Sequence, residues 1–131
     1  MQRTLDTNIC SYILRRRPEN VVERFAGLNG EAVWLSVIVA AELRFGAVKL
    51  GAARFAATIE AWLAGFDIRP WPVEATRCYA DVRATLERQG QPIGNMDLMI
   101  AAHALAEDSV IITNNAREFH RVPRLAVEEW G

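Results

Sequence analysis

The chain lacks most of the features that would classify it at a glance. No apolar run approaches the roughly 18 residues needed to span a bilayer. The opening MQRTLDTNIC has no basic stretch leading into an apolar core and a small-residue cleavage site. The expectation is a cytoplasmic protein that does not enter a membrane. Only two cysteines occur, Cys10 and Cys78, far apart and in no metal-type spacing. Two lone thiols are the simpler reading, although a disulfide stays open. His103 and His120 belong to no paired-ligand motif, which argues against zinc. Lysine is nearly missing (Lys49 alone) and the net charge is −1. The broad basic surface of a generic nucleic-acid binder is therefore absent. Repeats, low-complexity stretches and linkers are also missing.

What remains is a chain of 131 residues, 51% of them hydrophobic. That is enough for one domain, 1–131, with a single core. Short apolar runs alternate with longer segments of helical period, the pattern of an α/β fold with a mostly parallel sheet of about five strands flanked by helices. Strands are expected at Thr4-Leu5, Val33 to Leu35, Asp67 to Trp71, Val110 to Ile112 and near Leu125 to Val127. Helices are expected at 8–14, from Pro18 in a first turn to a stop at Gly27 and Asn29-Gly30, at 37–49, 53–64, 73–89 and 96–107. Val39, Leu43, Ala47 and Leu50 form the apolar stripe of the third. The segment 96–107 is apolar almost all round, which predicts burial.

Three of these strands end alike, with apolar residues giving way to small polar or acidic ones: Asp6-Thr7-Asn8, Ser36, and Thr113-Asn114-Asn115. In a parallel sheet those ends share one edge, where open α/β folds bind ligands. Two more acids can reach it. Asp97 falls in the first turn of its helix, where the dipole favours negative charge. Glu42 lies one position off an apolar stripe, where a charge is costly unless paired or bound to a metal. Converging carboxylates repel one another. A divalent cation relieves the repulsion, and all-oxygen ligands suit Mg²⁺, with Mn²⁺ as a substitute. Each piece also has a plainer explanation. Asp6 can merely cap a helix, Asp97 can complement a dipole, Asn114 and Asn115 can form a turn, and the run Arg15, Arg16, Arg17 can be a solvated face instead of a substrate clamp.

Four motifs in order then match a known family: LDTN (5–8), SVIVAAELRFGA (36–47), PIGNMDLMIAAHAL (92–105) and TNNAREFHRV (113–122), followed by VEEW (127–130). The chain resembles a PIN domain, and more narrowly a VapC-type toxin ribonuclease of a bacterial type II toxin–antitoxin system. The resemblance implies a PIN-like fold and a cytoplasmic, usually homodimeric, Mg²⁺-dependent endoribonuclease that leaves a 5′-phosphate and a 3′-hydroxyl. By motif position Asp6 and Asp97 would be metal ligands, and Glu42 the third catalytic acid. Thr7, Ser36, Thr113 and Asn115 would orient carboxylates and water. Asn115 would occupy a corner where many relatives carry a fourth acid, leaving a three-carboxylate site. The implied substrate is tRNA cut in the anticodon loop, with initiator tRNA leading. The implied partner is a VapB-like antitoxin lying over the early helices, with Ile9, Tyr12, Ile13 and Leu14 as candidate contacts. A nuclease acting on DNA or on messenger RNA stays open. A phosphatase of the haloacid-dehalogenase type is disfavoured by Asn8 in place of the second aspartate. A receiver-like signalling domain is disfavoured because Asp67 starts its strand and no lysine stands near the last one.

Overall fold

Every strand but the last is followed by a helix that carries the chain back across the sheet, so the strands can only align in parallel. The computed structural model describes residues 1–28 and 32–131. In chain order the elements are β1 (Arg3–Leu5), α1 (Thr7–Arg15), α2 (Glu19–Ala26), β2 (Val33–Ser36), α3 (Val37–Leu50), α4 (Ala53–Leu63), β3 (Asp67–Arg69), α5 (Val73–Arg88), α6 (Asn95–Ala106), β4 (Val110–Thr113), α7 (Ala116–Phe119) and β5 (Val127–Glu129). The five strands form one sheet in the order β3-β2-β1-β4-β5, with every neighbouring pair parallel. The strand order reverses between β1 and β4. That is the switch point of the sheet, and open α/β folds bind their ligands there, at the carboxyl ends of the strands.

The central strands are buried on both faces, as their near-continuous apolar runs require. Their polar side chains are satisfied internally. Thr4 Oγ1 donates to the Trp34 carbonyl at 2.8 Å, and Trp34 Nε1 donates to Ser109 Oγ at 3.0 Å. Helix α6 is buried along Leu98, Ile100, Ala101, Ala102, His103 and Ala104, as its all-round apolarity predicts. Cys10 and Cys78 are both free thiols.

Several boundaries differ from the expected ones. The stripe of α3 is buried at Val39, Leu43 and Ala47, but Leu50 is 68% exposed. Val48, Lys49 and Leu50 are all exposed, so the last turn of α3 projects beyond the core before Gly51 ends it at φ 70°. Pro18 caps α2 one residue before the first turn. The expected stop at Gly27 holds, whereas Asn29-Gly30 lies outside the described residues. Strand β5 begins two residues later than the apolar Leu125-Ala126 suggests. Only the later segment is in register with β4, through Ile111 with Val127 and Thr113 with Glu129. An edge strand tolerates its acids: Glu128 Oε2 accepts from Arg3 at 3.1 Å and Glu128 Oε1 from Arg24 at 3.4 Å.

Ser36 shows how β2 hands over to α3. Its Oγ accepts from the Ile38 N–H at 3.1 Å and lies 2.8 Å from His103 Nδ1 on α6. Burial is the main cause that pushes the His103 pKa down to about 4, with the charge of Arg69 adding to it, so the ring is neutral near pH 7. Ser36→Ala removes a helix cap and leaves a buried ring nitrogen without its partner. The expected loss is about 2 kcal/mol, read as a lower midpoint in urea unfolding.

Candidate active site

Asp6 follows the last residue of β1 and is the N-cap of α1, with φ −78° and ψ 173°. Its Oδ1 accepts from the Ile9 N–H at 2.9 Å, and its Oδ2 accepts a short hydrogen bond from Thr113 Oγ1 at the end of β4. The capping role and the place at the switch point are one geometry, because the register pairs Leu5 with Ile112 and sets Asp6 against Thr113. Asp6 is only 3% exposed. Burial pushes its pKa up to about 6. The two hydrogen bonds pull it down by less, and the charge of Glu42 adds to the rise.

Glu42 reaches the same edge from α3, where Thr7 Oγ1 donates to its Oε1 at 2.5 Å. Thr7 is the first residue of α1, so one helix start holds both acids. Asp97 stands in the first turn of α6. The helix dipole favours its charge, but the opposing effects are larger. Burial, then a hydrogen bond with Glu118, then the charges of Glu118, Asp6 and Glu42 push its pKa up to about 7.

Glu118 is the residue that motif counting missed. It sits on α7, a four-residue helix with no helical period for a sequence to reveal. Asn115 precedes that helix; its Nδ2 donates to Glu118 Oε2 at 2.9 Å, and its N–H donates to Thr113 Oγ1 at 2.8 Å. The fourth corner is therefore not left uncharged. Asn115 holds Glu118, which stands beside Asp97 as a fourth carboxylate next to the expected three. A readable signal was present: an Asn three residues ahead of a Glu, directly after a strand end, is a helix-start pattern that places the acid in the first turn.

The other expected residues divide. Thr7, Thr113 and Asn115 each hold a carboxylate. Ser36 is turned toward the N–H of Ile38 and toward His103 instead. Arg15, Arg16 and Arg17 end α1 and begin the next turn, away from the acids. Arg15 and Arg17 line a cleft of about 580 Å³ with Tyr12, Pro18 and Glu19. Arg16, in the left-handed conformation at φ 59°, lines a different groove with Ile13, Leu14, Val22, Thr58 and Trp62.

Among the described residues no three His, Cys, Asp or Glu side chains are placed together so as to hold a metal ion. The charge of Glu42 raises the proton affinity of Asp6, and the charges of Glu118, Asp6 and Glu42 raise that of Asp97. The donors are all oxygen. A hard divalent cation that keeps part of its water shell fits such a set better than zinc does.

The PIN-domain family model matches residues 4–125. A tRNA(fMet)-specific endonuclease VapC of Shigella flexneri is 40% identical over 128 residues, spanning 97% of this chain and 96% of that protein. The protein of the same description from Salmonella typhimurium is 38% identical over 127 residues, 96% of each. Among solved structures, DNA-bound VapBC from Salmonella typhimurium superposes with a TM-score of 0.91 at 36% identity, covering 100% of this chain and 99% of that one. With sequence and backbone agreeing over nearly the whole length, this chain belongs to the PIN-domain family and, within it, to the VapC type.

Proposed function

We propose that this chain is a Mg²⁺-dependent endoribonuclease toxin that hydrolyses RNA phosphodiesters, with tRNA cut in the anticodon loop as its leading substrate. A VapB-like antitoxin would hold it inactive. The observation that carries the reading is the gathering of Asp6, held by Thr113, and Glu42, held by Thr7, with Asp97 and the Asn115-held Glu118 at the switch point of the sheet. Among the described residues no arginine or lysine forms an ion pair with these four carboxylates, and helix capping accounts for Asp6 alone, so their repulsion costs stability. They make sense as a site that receives positive charge. The relatives described as tRNA(fMet)-specific endonucleases supply the substrate class.

Asp6 and Asp97 would hold the cation directly, with Glu42 acting on it or through its water and Glu118 flanking Asp97. When bound, the cation lowers the pKa of water and neutralises charge building on the phosphoryl group. The chain's own contribution is pre-organisation. Ile9 N–H and Thr113 Oγ1 fix both oxygens of Asp6, so its carboxylate cannot rotate. Thr7 fixes Glu42, and Asn115 fixes Glu118. Held acids need no reorganisation as charge develops, and holding the reacting groups in line is most of what phosphodiester hydrolysis requires. An unpaired anticodon loop offers splayed bases and an accessible backbone.

The antitoxin would lie in the groove of about 370 Å³ formed by Ile13, Leu14, Arg16, Val22, Thr58 and Trp62 on α1, α2 and α4. Of the four candidate contacts, Ile13 and Leu14 line this groove, Ile9 is fully buried and Tyr12 faces the neighbouring cleft. A homodimer would set two such crevices side by side.

Purified protein with Mg²⁺ is expected to cut initiator tRNA, leaving a 5′-phosphate and a 3′-hydroxyl, and to spare single-stranded DNA. Glu118→Gln keeps the hydrogen bond from Asn115 and removes one charge. It should lower the rate about ten- to a hundredfold in single-turnover assays. Cleavage of DNA alone, or of no nucleic acid at all, would overturn the proposal.

A further inference from the structure

The run of three arginines is not one surface. Arg16 turns toward an apolar groove, whereas Arg15 and Arg17 border the cleft closed by Tyr12, Pro18 and Glu19. Five other arginines (Arg3, Arg24, Arg44, Arg69 and Arg83) meet a carboxylate within 4 Å. Among the described residues Arg15 and Arg17 have no such partner, and the one acid of the cleft is Glu19. The Arg15 guanidinium lies 5.7 Å above the centre of the Tyr12 ring, and its Nε donates to the Ser11 carbonyl at 3.3 Å, so a flat cationic and aromatic wall is already assembled.

That wall is tied to the acids by three consecutive residues. At the end of β4, Thr113 donates to Asp6, Asn114 Nδ2 donates to Tyr12 OH at 2.7 Å, and Asn115 donates to Glu118. Tyr12 lies five residues beyond Thr7, about 7–8 Å along the α1 axis. A single strand held at the carboxylates would meet the cleft within a few nucleotides.

We infer that this cleft is a subsite for an unpaired nucleotide of the RNA substrate. A base packs against the Tyr12–Arg15 wall, and Arg15 and Arg17 bind the flanking phosphates. The inference rests on the ribonuclease reading. Aromatic rings and arginine planes are what unstacked RNA bases pack against. Two cations without acid partners match a phosphate chain better than they match an apolar peptide face. The subsite supplies binding that the acidic crevice cannot, in a chain whose net charge is −1.

The test is binding of a fluorescently labelled single-stranded RNA in the Asp97→Asn background with Mg²⁺ present, followed by anisotropy over a range of salt. Replacing Arg15 and Arg17 together with glutamine should weaken binding tenfold or more. It should also flatten the plot of log affinity against log salt by about 1.4, close to 0.7 for each phosphate that is no longer neutralised. Tyr12→Leu should cost roughly tenfold with the salt slope unchanged, while Tyr12→Phe, which keeps the ring and loses only the hydrogen bond from Asn114, should cost markedly less. Arg16→Gln should leave RNA binding alone. An RNA too short to extend past the cut should be bound equally by all of them. An unchanged salt slope in the Arg15 and Arg17 variant would overturn the subsite, even with cleavage intact. So would variants that keep RNA affinity but no longer bind the antitoxin, since the cleft would then be a protein interface. Failure of the parent to bind RNA would also overturn it. The tRNA cleavage assay decides the ribonuclease reading separately.

Discussion

Asp6→Asn is expected to lower RNA cleavage by roughly a thousandfold or more while the metal-free protein keeps its melting temperature or gains on it. The two halves of the result come from the same contacts. An asparagine retains one carbonyl oxygen for the Ile9 N–H, and its amide can donate to Thr113 Oγ1, which is free to rotate its own proton elsewhere. The cap of α1 therefore survives. What disappears is a charge that burial disfavours, as its pKa of about 6 shows, and that also repels Glu42. Removing it relieves the fold and disarms the site. Asp6→Ala is a poorer probe, because it also deletes the cap at a cost of about 1 kcal/mol. Cleavage rates and calorimetric melting of the same preparation check the prediction. Undiminished Mg²⁺-dependent cleavage by Asp6→Asn would remove Asp6 from the mechanism. Abolished cleavage with a collapsed melting temperature would make its role structural.

That pairing of a stable fold with a costly site also explains what the sequence made legible. The strand ends could be read because β1, β2 and β4 are short and doubly buried. In such strands the polar residue that follows the last buried apolar one marks the edge, and Asp6, Ser36 and Thr113 follow Leu5, Leu35 and Ile112 in that way. Glu42 stood out because a charge beside the buried stripe of Val39, Leu43 and Ala47 demands a partner. The structure supplies Thr7, which α1 brings from 35 positions away. Glu118 did not stand out. Its helix is one turn long, and its meaning depends on Asn115 and Asp97, one a neighbour in sequence and the other only in space. The division of the arginine run was equally hidden. Whether consecutive residues face one cleft or two depends on backbone angles, and Arg16 at φ 59° separates its neighbours in a way composition cannot show. The start of β5 was misplaced because apolar residues draw a strand assignment, whereas its actual position is set by hydrogen bonds to β4.

The burial of Asp6 and Asp97 beside other acids has a measurable consequence for stability. Asp6 and Asp97 ordinarily titrate at 3.8, and the fold raises them to about 6 and about 7. The folded state thus holds protons that the unfolded chain releases. The resulting stabilisation is fully present below pH 3.8 and is lost as pH rises through 6 to 7. His103 works the other way, since its pKa is lowered from 6.5 to about 4 and stability is recovered as that ring loses its proton. The two effects oppose each other between about pH 4 and pH 6.5, so the raw pH profile of the wild type separates neither. The difference between Asp97→Asn and wild type does separate them, because His103 is common to both. In the metal-free protein that difference should widen in favour of the variant by about 2 kcal/mol between pH 5 and pH 8. Solvent screening of the partly buried Asp97 keeps the change below the full value its shift would give. Mg²⁺ at pH 8 should close the gap by stabilising the wild type, by about 2.7 kcal/mol at a hundredfold excess over its dissociation constant, and should do far less at pH 5, where the acids are protonated. Denaturant unfolding at the two pH values, with and without Mg²⁺, gives all four numbers. A gap that stays constant with pH would mean that the carboxylates do not share charge, and the case for a cation at this edge would fail with it.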